Sequence, residues 1–389
     1  MSKALVDLAQ KLPWSISLKA VNDDEYSDRL NHRYVVGFLL FCTVIVAGSP
    51  FVFNRITCWT PAQFTSAYLS YTNNYCWISN TYYIPTNKTI PASQLDRKQS
   101  EIAYYQWTPL LLLLSALGFY LPRLLWRSMN LRSGINLQNL IAKTNIEGIV
   151  RTIDYYCRAN EPTTHQRNPF FRSLFCTTGK HLGNYLRSIE LMVKCLYLVN
   201  SFVQLILIQF ILGQPGWFYG FDVWYNIFIK KSVLIDSPYF PRVTLCDLNI
   251  RELGNLHRYT VQCVLPINML NEKVFSLAWF CFIIVFILNL HAFLLTLYRT
   301  FIASQQIAFI RTLYRTATPK VEVNDDLFEK FVREFLRQDG ILILHLIYHN
   351  GDAFLASGTV QHLFHNYQLT QRKFESSKMK TFELDSSDV

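Results

Sequence analysis

Two histidine pairs set the first chemical question. His345 and His349 stand four residues apart and His362 and His365 three apart, spacings at which neutral imidazoles on one helix face can share a metal ion. A di-metal centre needs further ligands, and Arg123–Glu190 offers only His165 and His181. A structural role is therefore the expectation for these histidines, with no metal and no cofactor. Cysteines set the second question. Cys58 and Cys76 fall in one polar segment, and Cys246 and Cys263 in another. In an oxidising compartment these four can form disulfides, in any of three pairings among which spacing does not choose. No phosphate-binding loop, dinucleotide fingerprint or catalytic-triad signature occurs, so the chain reads as a non-enzyme. The third set is ionic. Within Met1–Leu12, Leu5, Leu8, Ala9 and Leu12 share one helical face and Lys3, Asp7, Gln10 and Lys11 the other, until Pro13 stops the pattern. Copies of Asp7 and Lys11 repeated around one opening would bias the passage of ions.

The elements that must position these groups are membrane spans. Of 389 residues, 51% are hydrophobic and only 16% charged, the profile of a multi-span membrane protein. Four runs of about 20 residues are long enough to cross the hydrocarbon layer: 34–53, 102–122, 191–212 and 274–298. Lys194 is expected near an interface, where its ammonium can snorkel. Pro109 is expected to kink the second span, and Asn200, Gln204, Asn289 and His291 to hydrogen-bond between helices. Ile341–Tyr348 is apolar but too short to span. Met1–Ala20 lacks the apolar core of a signal peptide. The net charge of +10 carries no basic, aromatic-interleaved module, so no nucleic-acid partner is expected. Arg123–Glu190 instead presents Arg123, Arg127, Arg132 and Lys143 before its first acid, Glu147. Positive-inside reasoning places that segment and both termini in the cytoplasm. Asn87, in the sequon Asn87-Lys88-Thr89, then falls outside as a glycosylation candidate.

One junction carries more than composition. Tyr104-Tyr105-Gln106-Trp107-Thr108-Pro109 runs into Leu110–Leu114, an aromatic cluster of the kind a bilayer interface selects. The hexapeptide resembles the signature that opens the second span of innexins, the invertebrate gap-junction proteins related to pannexins. That family usually has valine where Thr108 stands. Two cysteines in each external loop are also the innexin pattern, whereas connexins carry three. The resemblance covers roughly residues 30 to 300.

It implies an all-α membrane protein of four transmembrane helices, with a small disulfide-linked extracellular domain and a helical cytoplasmic dome. It implies the crossed pairing Cys58–Cys263 and Cys76–Cys246, and an N-terminal helix folded into the pore mouth. The expected function is a gap-junction subunit at the plasma membrane, in cell–cell junctions. Its partners would be identical or related subunits in a ring of six to eight, a second ring on the apposed cell, and membrane lipid. An undocked, pannexin-like channel is the alternative within transport, and a histidine-box metal-dependent membrane enzyme the alternative outside it.

The expected organisation is a cytoplasmic lead-in with pore helix (1–33), external loops (54–101 and 213–273), a cytoplasmic loop (123–190) and a helical C-terminal region (299–369). Within the last, Asp326–Gln338 reads as an amphipathic helix, with Leu327, Phe328, Phe331 and Phe335 on one face. Polar composition predicts a disordered tail over 370–389. Its end, Ser387-Asp388-Val389, is compatible with a PDZ-type scaffold that captures a terminal carboxylate, on the strength of three residues.

Overall fold

A computed structural model describes residues 23–85, 88–142, 145–159, 183–211, 221, 225, 239–319 and 324–387. Lys3, Asp7, Gln10, Lys11, Asn87, His165 and His181 lie outside the described residues.

In chain order, α1 (Tyr26–Val52) leads to β1 (Thr57–Trp59), α2 (Ser66–Ile78), β2 (Thr81–Tyr82), α3 (Gln94–Lys98) and β3 (Glu101–Ile102). Then come α4 (Thr108–Arg132), α5 (Leu137–Ile141), α6 (Ile146–Ala159) and α7 (Tyr185–Ile211). Strands β4 (Val243–Glu252) and β5 (Asn255–Val264) precede α8 (Pro266–Phe301) and α9 (Ala303–Ala317). The chain closes with α10 (Asp325–Lys330), a π-helical turn over Phe331–Leu336, α11 (Arg337–Asn350) and α12 (Ala353–Ser387).

Among the described residues, four helices, α1, α4, α7 and α8, are long and apolar enough to cross a membrane. Their boundaries differ from the composition-based spans. The second is the clearest case: Ile102 belongs to a strand and Tyr104–Gln106 to a 3-10 turn, so the helix starts only at Thr108 and runs to Arg132. Pro109 therefore sits in the first helical turn, where a missing N–H leaves no bond broken. The proline inside that helix is Pro122.

The described residues divide into two compact units. One comprises residues 30–121 and 197–288. Its core joins Leu39, Val46, Leu112, Phe119, Phe275 and Phe282 from the long helices. Gly118 makes room there for two amides: a Cβ would lie 2.9 Å from Asn200 Oδ1 and 3.1 Å from Gln204 Nε2, so these side-chain ends would have to shift. Those two side chains bond each other along α7, at 3.5 Å, where bonds between helices were expected. The same unit holds a five-stranded antiparallel sheet in the order β1-β5-β4-β2-β3.

The second unit comprises residues up to 29, 122–196 and 289–389. An aromatic core fills it: Phe364 packs 5.3 Å from Tyr314, 5.3 Å from Phe328 and 5.2 Å from Phe331, and Phe331 stacks on Phe335 at 5.7 Å. Asn324 caps α10 by accepting from the backbone N–H of Asp326 at 3.1 Å. The expected Asp326–Gln338 helix is not continuous. It passes through the π turn and breaks at Arg337, whose φ is 52°. Beyond it, Ile341 to Ile347 are all buried. Helix α12 runs on to Ser387 where a disordered tail was expected. Its packed start, with Ala356, Val360, Leu363 and Phe364 buried, supplies the nucleus that polar composition ignores, and propagation then adds a bond per residue.

Candidate functional site

Sheet pairing explains how the cysteines meet. Cys58 on β1 lies opposite Cys263 on β5 in the antiparallel register, and β4 carries Cys246 beside them. Cys76 comes from the last turn of α2. The disulfides are Cys58–Cys263 and Cys76–Cys246, closing separations of 205 and 170 residues. The sulfurs of Cys58, Cys76 and Cys263 lie within 4.8 Å of one another. All three are oxidised, so they serve as a covalent clamp rather than as thiolate ligands. Around them Ile56, Ile102, Tyr105, Val261, Leu265 and Ile267 form a small buried core.

The hexapeptide connects this clamp to the second long helix. Tyr105 is buried against Trp77, ring centroids 4.9 Å apart. Gln106 Nε2 donates to the Trp77 carbonyl at 2.6 Å and to Asn80 Oδ1 at 3.0 Å. Tyr104 donates its hydroxyl to the Tyr239 carbonyl at 2.8 Å, and burial pushes that phenol's pKa up. Thr108 returns a hydroxyl bond to the Tyr105 carbonyl at 3.2 Å, a contact valine could not make. Only Trp107 is largely exposed, at 57%. The cluster thus works as a packed joint between the clamp and α4.

In the other unit the dominant feature is ionic. The segment Asp23–Arg29, just ahead of and entering α1, gathers cations from three other long helices. Arg123 of α4 pairs with Asp23 and, at 3.1 Å, with Asp24. Lys194 of α7 pairs with Glu25 at 2.7 Å and Asp28 at 3.3 Å. Arg299 of α8 reaches Glu25 at 3.3 Å. Arg187 and Glu190 form a further buried pair at 2.6 Å. Asn350 ties α11 in, accepting from Arg29 at 2.9 Å and donating to the Asp24 carbonyl at 2.8 Å. Lys194 is 2% exposed, so it does not snorkel. It is the centre of a buried charge network.

Burial and charge divide the acids of this network. Burial pushes the Asp24 carboxyl up to about 7, against the lowering pull of Arg123. Burial also acts to raise Glu25, but Lys194, with Arg299, outweighs it and holds that carboxyl down at about 2. His345 lies 3.5 Å from Glu25 and packs on Phe309 and His349, at centroid distances of 5.4 and 4.4 Å. Its burial lowers it to about 3, leaving a neutral ring. His362 and His365 are exposed on α12. Among the described residues, the clamp cysteines are the only three His, Cys, Asp or Glu side chains close enough together to hold a metal.

A second carboxylate was also missed by sequence reasoning. Asp339 of α11 accepts from the backbone N–H groups of Tyr185 and Arg187 at 3.0 and 3.1 Å and from the Tyr156 hydroxyl at 3.0 Å. It caps α7 from 154 residues away in sequence, the charge favoured at a helix N-terminus. The signals available were the acid-rich Asp23–Asp28 run and one cation near an end of each partner helix.

Four helices long and apolar enough to cross a membrane, together with a doubly disulfide-clamped sheet, define the class of multi-span membrane protein. Comparison makes the class specific: the innexin family model matches residues 24–367, and the chain belongs to that family, whose members are gap-junction channel proteins. It is 32% identical over 360 residues to innexin-3 of Caenorhabditis elegans, covering 90% of this chain and 85% of that protein. It is 33% identical over 359 residues to innexin unc-9 of the same organism, covering 89% and 92%. Innexin-19 of Caenorhabditis briggsae is 29% identical over 95% of this chain and 92% of its own length.

Proposed function

We propose that this chain closes into a ring of six to eight identical or related innexin subunits, and that two such rings on apposed cells dock end to end into a wide, non-catalytic pore for ions and small metabolites. The observation that carries the reading is the double clamp. Two disulfides tie β1, β4, β5 and α2 into one rigid piece, and end-to-end docking needs such a piece held at fixed height. The orientation follows from the cationic Arg123–Glu190 segment: both termini cytoplasmic, the clamped sheet outside. A protease site near Arg132 is then cut only from the cytosol, and one near Lys88 only from outside. Residues 1–33 supply the pore mouth, with Lys3, Asp7, Gln10 and Lys11 toward water. Annular lipid covers the apolar helices.

The undocked, pannexin-like channel is the competing reading, and a glycan at Asn87 would favour it by obstructing docking. Paired cells expressing the chain exchange a small dye while single cells leak little. Release from single cells without transfer between pairs refutes the docked reading, and absence of any conductance reopens the metal-enzyme alternative.

A further inference from the structure

Arg337 joins the π-helical turn to α11 with φ 52° and ψ −164°, a backbone conformation that glycine adopts freely and other L residues rarely do. Its surroundings hold it there. Phe335 and Leu336 before it, and Asp339 and Ile341 after it, are all buried. Gly183, itself at φ 66°, forms the seat: a Cβ on it would lie 2.6 Å from Arg337 Cδ and 3.1 Å from Arg337 Cβ. Glycine thus stands at the facing position, and the strained position carries arginine.

The next two residues show what this conformation accompanies. Gln338 Nε2 donates to the Thr300 carbonyl at 3.1 Å, one of the last four carbonyls of α8, which have no acceptor role inside the helix. Gln306 Nε2 of α9 reaches the same oxygen at 2.9 Å. Asp339 grips the other helix. Its carboxylate accepts from Tyr185 and Arg187 at the start of α7, and its own N–H donates to the Gly183 carbonyl at 2.9 Å. Consecutive side chains therefore hold the C-terminus of one long apolar helix and the N-terminus of another. At the far end of α11, Asn350 holds Arg29 and the Asp24 carbonyl ahead of α1. The strain at Arg337 is sustained only while both grips are made. The segment accordingly has two arrangements, gripped with a strained backbone or released with a relaxed one.

We infer that Arg337–Asp339 is a strained two-ended clamp on the adjoining ends of α7 and α8, and that gripping and release of this clamp shift the channel between conducting and non-conducting states. The inference rests on the channel reading above.

The experiment records single-channel currents from full-length parent, Arg337→Gly and Gln338→Met channels, with the thermal midpoint of the purified protein. Arg337→Gly relieves the strain and leaves both grips in place, so it favours the gripped state. Gln338→Met has no donor for the Thr300 carbonyl, so it favours the released state. The ratio of open to closed time is expected to move in opposite directions in the two variants, by about fivefold or more in each. Single-channel conductance stays at the parent value, and the Arg337→Gly midpoint is equal or higher. Shifts in the same direction, or no shift in either variant, overturn the inference alone. A lowered Arg337→Gly midpoint overturns it too, by showing that no strain was there to relieve. If Gln338→Met fails to reach the surface, Gln338→Asn, one methylene shorter, is read in its place by the same criterion. A parent that reaches the surface and passes no current refutes the channel reading and this inference with it.

Discussion

Replacing Lys194 with methionine tests the reading of the buried charge network most directly. Five carboxylates (Asp23, Asp24, Glu25, Asp28 and Glu190) face five cations (Arg29, Arg123, Arg187, Lys194 and Arg299) in the paired contacts, with His345 neutral among them. Methionine matches the lysine stem in length and removes only the ammonium. Glu25 keeps Arg299 at 3.3 Å. Asp28 loses the ammonium that contacts both its oxygens, at 3.3 and 3.5 Å. Removing one member of a buried pair leaves its partner charged and desolvated, which costs about 3–5 kcal/mol, far above the ~0–1 kcal/mol of an exposed pair.

A second substitution separates lost charge balance from lost packing. Adding Asp28→Asn to Lys194→Met removes the carboxylate that lost this ammonium, and most of the lost stability is expected to return. The coupling energy of the cycle is then of the order of 1–3 kcal/mol. The assay is the thermal midpoint of purified channel in lipid nanodiscs, read alongside surface delivery. At roughly 2 °C per kcal/mol for a chain of this length, Lys194→Met lowers the midpoint by about 6–10 °C. A single variant within about 1 °C of the parent, or a double variant no better than the single, would refute the claim that Lys194 neutralises these acids.

Three other outcomes follow from the same geometry. Asp24, raised by burial to about 7 from 3.8, binds a proton more tightly folded than unfolded; stability is therefore highest below pH ~4 on its account and declines as pH rises to ~7, by at most about 4 kcal/mol, and Asp24→Asn flattens the midpoint-against-pH curve over that window. Cys76→Ser opens the Cys76–Cys246 bond and costs about 2–4 kcal/mol, so cell–cell dye transfer fails while membrane insertion persists; non-reducing peptide mapping that finds Cys58 joined to Cys76 in the parent would contradict the pairing. Deleting residues 2–12 alters single-channel conductance while rings still reach the surface, and unchanged currents would remove the N-terminal helix from the pore.

What was legible in the sequence follows the range of the interactions. The four spans could be read because apolar length is a local property, and a helix that is apolar on all sides needs no knowledge of its neighbours. The cysteines could be assigned to two loops but not paired, because pairing depends on the register of β1 against β5 across 205 residues. Local signals failed where tertiary context reassigned them. Tyr104 and Tyr105 abut an apolar run, which is the composition of a bilayer edge, and that composition gave no sign of their contacts with Tyr239 and Trp77 in the joint. Pro109 looked like a kink because the helix was begun six residues too early, at Ile102 instead of Thr108.

The charge network was illegible for a related reason. Asp28 and Lys194 are 166 residues apart, and Glu25 and Arg299 are 274 apart; each charge taken alone resembles an ordinary interfacial residue. Buried ion pairs add little net stability compared with apolar packing, so stability is a weak reason for placing ten charges here. A more economical reason is selectivity of assembly. The acids of Asp23–Asp28 meet Arg123, Lys194 and Arg299 here, and moving the lead-in elsewhere would take these partners from the buried cations. Such a segment has one energetically acceptable seat. That seat fixes the position of Asp23 just ahead of α1.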